Sequence, residues 1–189
     1  MVGSIVSEPI GRDVAGPSLR AVDGRADAFR RLVDRELDDA YRLAAVILND
    51  RVEAEDAVHD AALVAWRRWE DLRDPARFEA WFRRILVNGC RDRLRARARH
   101  RVVDVGRELV EAEHPRVADA TGATAIRDAV DRALERLGPD ERLIVVLRFH
   151  ADLTVPAIAA TIGIPEGTVK SRLHHALERL RAVLEVEER

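Results

Sequence analysis

Apolar residues recur at spacings of three and four along the first half of the chain, which is the pattern of amphipathic helices. One such stripe covers residues 29–48 and predicts a helix that ends near Asn49. A second helix is expected over residues 53–70. Pro75 then interrupts the pattern, because proline disfavours helical geometry at the residue before it, and a third helix is expected from about Ala76.

The second half of the chain predicts shorter helices separated by turn residues. The apolar stripe of residues 125–137 is in register for a helix. The apolar run of residues 143–149 alone could be a strand, although its position between helices favours a helix. Thr154 can cap a short helix that continues through Ile162, and Gly163 is well placed to end that helix in the left-handed conformation.

These patterns predict an all-α fold of two small helical domains joined by a flexible linker, because no segment demands a sheet. The expected layout is a flexible leader at residues 1–24, a first domain at 25–101, a linker at 102–124 and a second domain at 125–189. The leader has no apolar block typical of a signal peptide, and no apolar run approaches the roughly 20 residues that span a bilayer. A cytoplasmic protein without membrane insertion is therefore expected.

The net charge of -2 hides an uneven distribution of charge along the chain. Arginine dominates residues 83–101, where Asp92 is the only acidic residue. Four polar side chains of this tract fall at helical spacings and would project together: Arg84, Asn88, Arg91 and Arg95. This stripe is either a solvated helix face or a binding surface. The single cysteine, Cys90, excludes an internal disulfide and a thiolate-rich metal site.

A short helix, a glycine-containing turn and a longer helix with polar first turns are typical of a helix-turn-helix. In that motif the second helix enters the major groove and its first residues contact base edges. The only lysine of the chain, Lys170, lies there. The candidate DNA donors of this helix are Thr168, Lys170, Ser171, Arg172, His174 and His175. No metal site is expected from the two adjacent histidines, since neighbours on a helix diverge by about 100°.

The second half of the chain resembles region 4 of bacterial sigma factors of the extracytoplasmic-function group, along the segment LTVPAIAATIGIPEGTVKSRLHHALERLR. The first half is similar to region 2 of that group along EAEDAVHDAALVAWRRW and FEAWFRRILVNGCRDRLRAR. Together the resemblance covers residues 26–101 and 125–184. It implies a three- to four-helix bundle for region 2 and a helix-turn-helix for region 4.

The resemblance also implies a function and its partners. A sigma factor binds core RNA polymerase through the clamp coiled coil of the largest catalytic subunit and the flap region, and directs initiation at promoters. Promoter DNA and an anti-sigma factor are the further partners that the family suggests. The polymerase performs the chemistry, so neither enzymatic activity nor a cofactor is expected of this chain.

Residue by residue, the resemblance assigns three surfaces. The -35 element would be bound by Arg148, Thr168, Lys170, Ser171, Arg172, His174 and His175. The -10 element would be bound by Arg77, Arg84, Asn88, Arg91, Asp92 and Arg95. Core polymerase would be bound by Glu55, Asp56 and Asp60.

Three positions depart from the family pattern: His59 replaces a usual glutamine, Ala62 a usual phenylalanine and His175 a common arginine. Four aromatic residues could stack on unpaired bases, but their places on apolar stripes favour the core for most of them: Trp66, Trp69, Trp81 and Phe82. A response-regulator-type activator is the alternative function, since it also carries a helix-turn-helix, although residues 26–101 show no strand pattern. No phosphate loop, catalytic triad or paired buried carboxylates support an enzyme.

Overall fold

The structure is a computed structural model that describes residues 19–104 and 122–187, and within these ranges it contains helices and no strand. The predicted all-α fold is therefore confirmed. The helices are α1 Leu19–Leu48, α2 Arg51–Arg67, α3 Phe78–Asp104, α4 Gly122–Glu135, α5 Pro139–Phe149, α6 Val155–Ile162 and α7 Glu166–Glu187. Two 3-10 turns, Trp69–Asp71 and Pro75–Arg77, connect α2 to α3. None of the helices in the described ranges is long and apolar enough to cross a membrane.

The structured segments extend into the expected leader and linker. Helix α1 begins at Leu19, inside the leader expected at residues 1–24, and residues 1–18 lie outside the described residues. Helix α3 continues to Asp104 and α4 begins at Gly122, so each takes residues from the linker expected at 102–124. The rest of that linker lies outside the described residues. We call α1–α3 the first domain and α4–α7 the second domain.

The turn between α1 and α2 forms as the sequence predicts. Asn49 adopts a left-handed conformation with φ 52°, which asparagine tolerates better than most residues, and its amide donates to Ala45 O at 2.8 Å. Asp50 is the N-cap of α2, and its side chain accepts a hydrogen bond from Glu53 N at 2.9 Å. The residue that ends α1 and the N-cap of α2 are adjacent, so the two helices form a tight antiparallel pair.

The ends of α6 also confirm the sequence predictions. Thr154 Oγ1 accepts a hydrogen bond from Ala157 N at 3.4 Å, and Pro156 lies in the first turn, where an amide hydrogen would have no partner in the helix. Gly163 ends α6 with φ 70° and ψ 38°. A side chain at this position would be strained, so glycine fixes the angle between α6 and α7.

Aromatic side chains close the first domain where α1, α2 and α3 meet. Phe29 packs edge-on against Trp66 and Trp69, at ring-centroid distances of 5.2 and 5.3 Å. Phe78 stacks on Phe82 at 5.5 Å, and both are buried. Trp66 and Trp69 thus pack against other aromatic rings, as expected for residues on apolar stripes.

Helix α5 explains why the run of residues 143–147 is apolar on every side. All five residues are buried, and α5 contacts α7 within its own domain and α1 and α3 of the first domain. A helix that is apolar all round is expected to be buried on all sides. Ile158 and Ile162 of α6 join the same core, which runs without interruption from the first domain into the second. The two domains therefore pack together.

Candidate nucleic-acid interface

The outer face of α7 presents polar side chains to solvent. Lys170, Ser171, His174 and His175 are all exposed on this face, while Val169 and Ala176 on the opposite face are buried. Ser171 Oγ donates to Thr168 O at 3.1 Å, within the same helix. The two histidines lie 3.3 and 3.5 Å from the Glu178 carboxylate. This face is therefore open to solvent.

Two further arginines of the predicted -35 surface lie away from this face. Arg148 ends α5, and its Nη1 donates to Asp152 Oδ1 at 3.3 Å and to Leu153 O at 3.4 Å. Arg172 points to the other side of α7 and pairs with Asp140 of α5. The structure therefore brings Lys170, Ser171 and the two histidines together and separates Arg172 from them.

The polar stripe of α3 is covered by the second domain. Asn88 Nδ2 donates to Thr161 O at 3.3 Å, and Arg91 Nη1 donates to Ile162 O at 3.1 Å. These carbonyls lie at the C-terminal end of α6, where a helix carries partial negative charge. Asn88, Arg91 and Arg95 are three of the six residues that are predicted to bind the -10 element. All three contact the second domain, although the Arg95 side chain stays 42% exposed.

Asp140, in the first turn of α5, is the charged centre of this contact. Its Oδ1 accepts hydrogen bonds from Arg91 Nε at 2.8 Å and from Arg95 Nη2 at 3.1 Å, and its Oδ2 pairs with Arg172 Nη1. We call Arg91, Arg95 and Arg172 the arginine cluster. Burial raises the pKa of the Asp140 carboxyl, but hydrogen bonds and charge from Arg91 and Arg95 outweigh burial and hold the pKa at about 2. The carboxylate is therefore ionised at neutral pH.

The remaining side chains of the predicted -10 surface are exposed. Arg77 lies in the 3-10 turn before α3, with its Nε 3.7 Å from Asp74 Oδ2. Arg84 lies one turn before Asn88 on the same stripe of α3 and is exposed, and so is Asp92. The second domain therefore covers the middle of the stripe and leaves its N-terminal end open.

The acidic surface of α2, which consists of Glu55, Asp56 and Asp60, is exposed. Asp60 pairs with Arg93 of α3. Two apolar side chains flank these acids on the same face, with Val52 at 70% and Leu63 at 41% exposure. The acids and these two apolar side chains thus share one exposed face of α2.

Two of the departures from the family pattern also fall on α2. His59 is exposed between the acids of this surface, and Ala62 is half-buried and packs against the shared core. The smaller side chain at Ala62 therefore still contributes to packing, and the face around His59 stays open.

Two residues that hold the domains together have no periodic pattern in the sequence that would identify them. Asp140 follows Pro139 in the first turn of α5, where an acid is ordinary, and its partners lie 32 to 49 residues away. Arg142 is only 6% exposed and reaches across to Val46 O at 3.2 Å. A buried arginine within an apolar run is the one feature that could have marked α5 as an interface.

One arginine of the tract has a structural role instead. Arg97 Nε donates to Glu53 Oε1 at 3.0 Å, and its Nη1 donates to Leu48 O at 2.8 Å, so it ties α3 to the α1–α2 turn. Among the side chains that the structure describes, no three His, Cys, Asp or Glu residues are placed to hold a metal ion. The chemistry that this arrangement supports is binding through arginine, lysine and carboxylate groups.

Comparison with protein families gives two matches, one in each domain. Residues 32–100 match the family model described as Sigma-70 region 2, and residues 133–182 match Sigma-70, region 4. The chain is 34% identical over 162 residues to the RNA polymerase sigma-E factor of Streptomyces antibioticus, which covers 86% of this chain and 87% of that protein. It is 36% identical over 163 residues to the ECF RNA polymerase sigma factor SigM of Mycobacterium tuberculosis, over 86% and 80% of the two chains.

Two solved structures are similar over nearly the whole chain. One is the sigma factor RpoE in complex with the anti-sigma factor NepR from Bartonella quintana, with a TM-score of 0.63, 26% identity and coverage of 84% of this chain and 97% of that one. The other is CnrH in complex with the cytosolic domain of CnrY, with a TM-score of 0.60, 26% identity and coverage of 88% and 94%.

Proposed function

The chain belongs to the sigma-70 family of RNA polymerase sigma factors, in the extracytoplasmic-function group, and we propose how its surfaces divide the work of this family. It binds core RNA polymerase and directs promoter-specific initiation. The match extends through the helical first domain, so the response-regulator-type activator, which would carry an α/β module there, is not supported. The polymerase supplies the catalysis, and the chain acts as a non-enzymatic specificity subunit.

The proposed domain roles follow the predicted layout. Residues 25–101 form region 2, which binds core polymerase and the -10 element, and residues 125–189 form region 4, which binds the -35 element. The leader and the linker, predicted at residues 1–24 and 102–124, are shorter by the parts that α1, α3 and α4 take from them. The two separate family matches, at residues 32–100 and 133–182, support this division.

Helix α7 binds the -35 duplex in its major groove. The single observation that carries this proposal is the exposed row of Lys170, Ser171, His174 and His175 on the second helix of a helix-turn-helix. Lysine can donate to guanine, and serine can donate or accept. Thr168, Arg148 and Arg172 would contact the phosphates around this groove once Arg172 is released from Asp140.

Helix α3 binds the -10 element after the second domain moves away. Asn88, Arg91 and Arg95 have the donors for bases and phosphates, and Arg77, Arg84 and Asp92 extend the same surface towards the turn before α3. In the structure the second domain covers α3, and we call this arrangement the closed form. In it, Asn88 and Arg91 donate hydrogen bonds to backbone carbonyls of α6 instead. Binding to the polymerase would separate the domains and make these donors available to a melted strand.

Regulation by a protein partner is part of the proposal. The two similar solved structures are complexes of sigma factors with NepR, an anti-sigma factor, and with the cytosolic domain of CnrY. An anti-sigma factor that binds the closed form would keep α3 covered. Because transcription takes place in the cytoplasm of bacteria, we also place the protein there.

Run-off transcription tests the function directly. Purified core polymerase would be incubated with a library of genomic promoter fragments, with and without this chain. New transcripts from fragments that share paired -35 and -10 sequences are the expected result. A chain that adds no activity to core polymerase, yet binds duplex DNA tightly by itself, would contradict the proposal.

The polymerase-binding surface has a test of its own. Replacing Asp56 and Asp60 by alanine removes two exposed carboxylates between Val52 and Leu63, and should weaken binding to core polymerase by about tenfold. Competition with a labelled wild-type chain measures the affinity. The matched control replaces Asp34 and Asp38, two exposed acids of α1, by alanine. Equal affinities for the two double variants would refute the assignment of this surface.

A further inference from the structure

The arginine cluster is the only place in the described residues where side chains from both predicted DNA surfaces share one partner. Arg91 and Arg95 belong to the -10 surface of α3, and Arg172 belongs to the -35 set of α7. Asp140 lies between them with a side-chain exposure of 19%. Three guanidinium groups thus converge on a single carboxylate.

A DNA phosphate would have to compete with the Asp140 carboxylate for these three guanidinium groups. Arginine binds carboxylates and phosphates with the same planar pair of N–H donors, so the donors that are committed to Asp140 are not available to a phosphate. Arg91 uses both Nε and Nη2 on Asp140, and its Nη1 on Ile162 O, which leaves its guanidinium committed to the second domain. While Asp140 is in place, the centre of the α3 stripe cannot bind a strand.

Two further hydrogen bonds join the domains away from Asp140. Asn49 Nδ2 donates to Glu135 Oε1 at 2.7 Å, and Arg142 donates to a carbonyl at the end of α1. A cavity of about 380 Å³ remains between α1, α3 and the end of α5, lined in part by Glu36, Phe82 and His150. The two domains are therefore not in contact across this pocket.

We infer that Asp140 is an internal substitute for DNA that closes the free protein and blocks the -10 surface until the domains separate. This inference rests on the proposed function of α3 and α7. Loss of the Asp140 charge would leave three arginines of like charge facing one another, and their repulsion would favour the open form. The open form would expose Asn88, Arg91 and Arg95 together.

The test compares the full-length wild type with Asp140→Asn, without polymerase. The matched control is Asp27→Asn, which removes one exposed carboxylate that pairs with a single arginine, Arg30. The closed form predicts that Asp140→Asn raises the radius of gyration in X-ray scattering and binds a single-stranded oligonucleotide about tenfold more tightly, with a steeper dependence on salt. Asp27→Asn should match the wild type in size and bind only marginally better.

A second variant keeps the test decisive if Asp140→Asn fails to fold by circular dichroism. Glu135→Ala removes the acceptor for Asn49 at an exposed site, and should increase the radius in the same direction by less. Unchanged size and unchanged oligonucleotide binding in the folded variants would overturn the inference. Run-off transcription with the wild type is measured in parallel: its failure would refute the proposed function, whereas transcription with unchanged variants refutes the closed form alone.

Discussion

The two predicted DNA surfaces of this sigma factor differ in how they are exposed. The face of α7 that holds Lys170 and Ser171 is open to solvent, whereas Asn88 and Arg91 on α3 are bonded to the second domain. Both surfaces are polar stripes at helical spacing. Nothing in the two sequence patterns indicates that one surface is exposed and the other is covered. Whether a binding stripe is available therefore depends on its partner in the fold and not on its own periodicity.

The chemistry of the two stripes suits these different states. Arginine on α3 provides planar, bidentate donors, which a carboxylate of the same chain can satisfy. The α7 face has one lysine and two histidines, which lack the planar donor pair of a guanidinium, and the histidines lie near Glu178 of the same helix. The proposal therefore predicts that duplex recognition begins on α7 while the surface of α3 is still covered.

The largest expected effect comes from the core that joins the domains. Ile158→Ala removes a fully buried side chain of α6, the helix that covers the α3 stripe, and should lower the free energy of unfolding by about 2 to 5 kcal/mol. Urea denaturation measures the loss. Val52→Ala, at a residue that is 70% exposed, is the control and should cost less than about 0.5 kcal/mol. Equal costs would mean that the shared core does not hold the covered surface in place.

Substitutions on the exposed face of α7 should change the affinity for DNA and not the free energy of unfolding. Lys170→Ala should weaken binding to the -35 duplex by roughly tenfold, because one base contact in the major groove is lost, and Ser171→Ala should lower the discrimination between sequences. Fluorescence anisotropy with matched and mismatched duplexes measures both. Arg30→Ala, which removes one exposed positive charge from α1, is the control. Unchanged promoter selectivity in both α7 variants would refute the assignment of this face.

The stability that Asp140 contributes at the covered surface of α3 should instead depend on pH. The pKa of Asp140 is lowered from 3.8 to about 2, so its contribution to stability is fully present above about pH 4 and is lost as the pH falls towards 2. The difference in unfolding free energy between wild type and Asp140→Asn should be on the order of 1 to 2 kcal/mol at pH 7, discounted for the exposure of Arg95 and Arg172.

Denaturation at a series of pH values checks this prediction. The difference between the two proteins should stay constant down to about pH 4 and shrink below it. A difference that grows as the pH falls would show that the sign of the Asp140 contribution is opposite to that of a paired carboxylate.

The smallest expected effect concerns the electrostatic strength of the open surface. His175→Arg adds a permanent charge to the exposed face of α7, and should strengthen duplex binding a few-fold and steepen its salt dependence by about 0.9 in log–log slope. His59→Arg, on the far helix α2, is the matched control. A salt slope that changes equally in both variants would indicate nonspecific attraction rather than a phosphate contact at α7.

Local features of this fold could be predicted from the sequence, and contacts between its domains could not. Thr154 and Gly163 mark the ends of α6 because caps and left-handed turns depend on a few adjacent residues. The start of α1 at Leu19 was missed because Pro17 and Gly24 are typical of an irregular segment, although a glycine inside a helix costs only about 1 kcal/mol.

The candidate site divides in the same way. The face of α7 follows from helical spacing alone, so its exposed members could be predicted together. The pairing of Asp140 with Arg91 joins residues 49 apart, and that of Arg142 with Val46 O joins residues 96 apart. Neither pairing has a periodic signature, since it depends on how two folded domains fit together. The closed state of α3 therefore becomes visible only in three dimensions.

One measurement tests the difference between the two surfaces most directly. A promoter recovered by run-off transcription would supply a -35 duplex and a single-stranded -10 oligonucleotide, and anisotropy would give the affinity of each for the free chain and for its complex with core polymerase. The account predicts that the free chain binds the duplex but hardly binds the -10 strand, and that the complex binds both. If the free chain bound the -10 strand as tightly as the complex does, the α3 surface would not be closed, and the central claim would be contradicted.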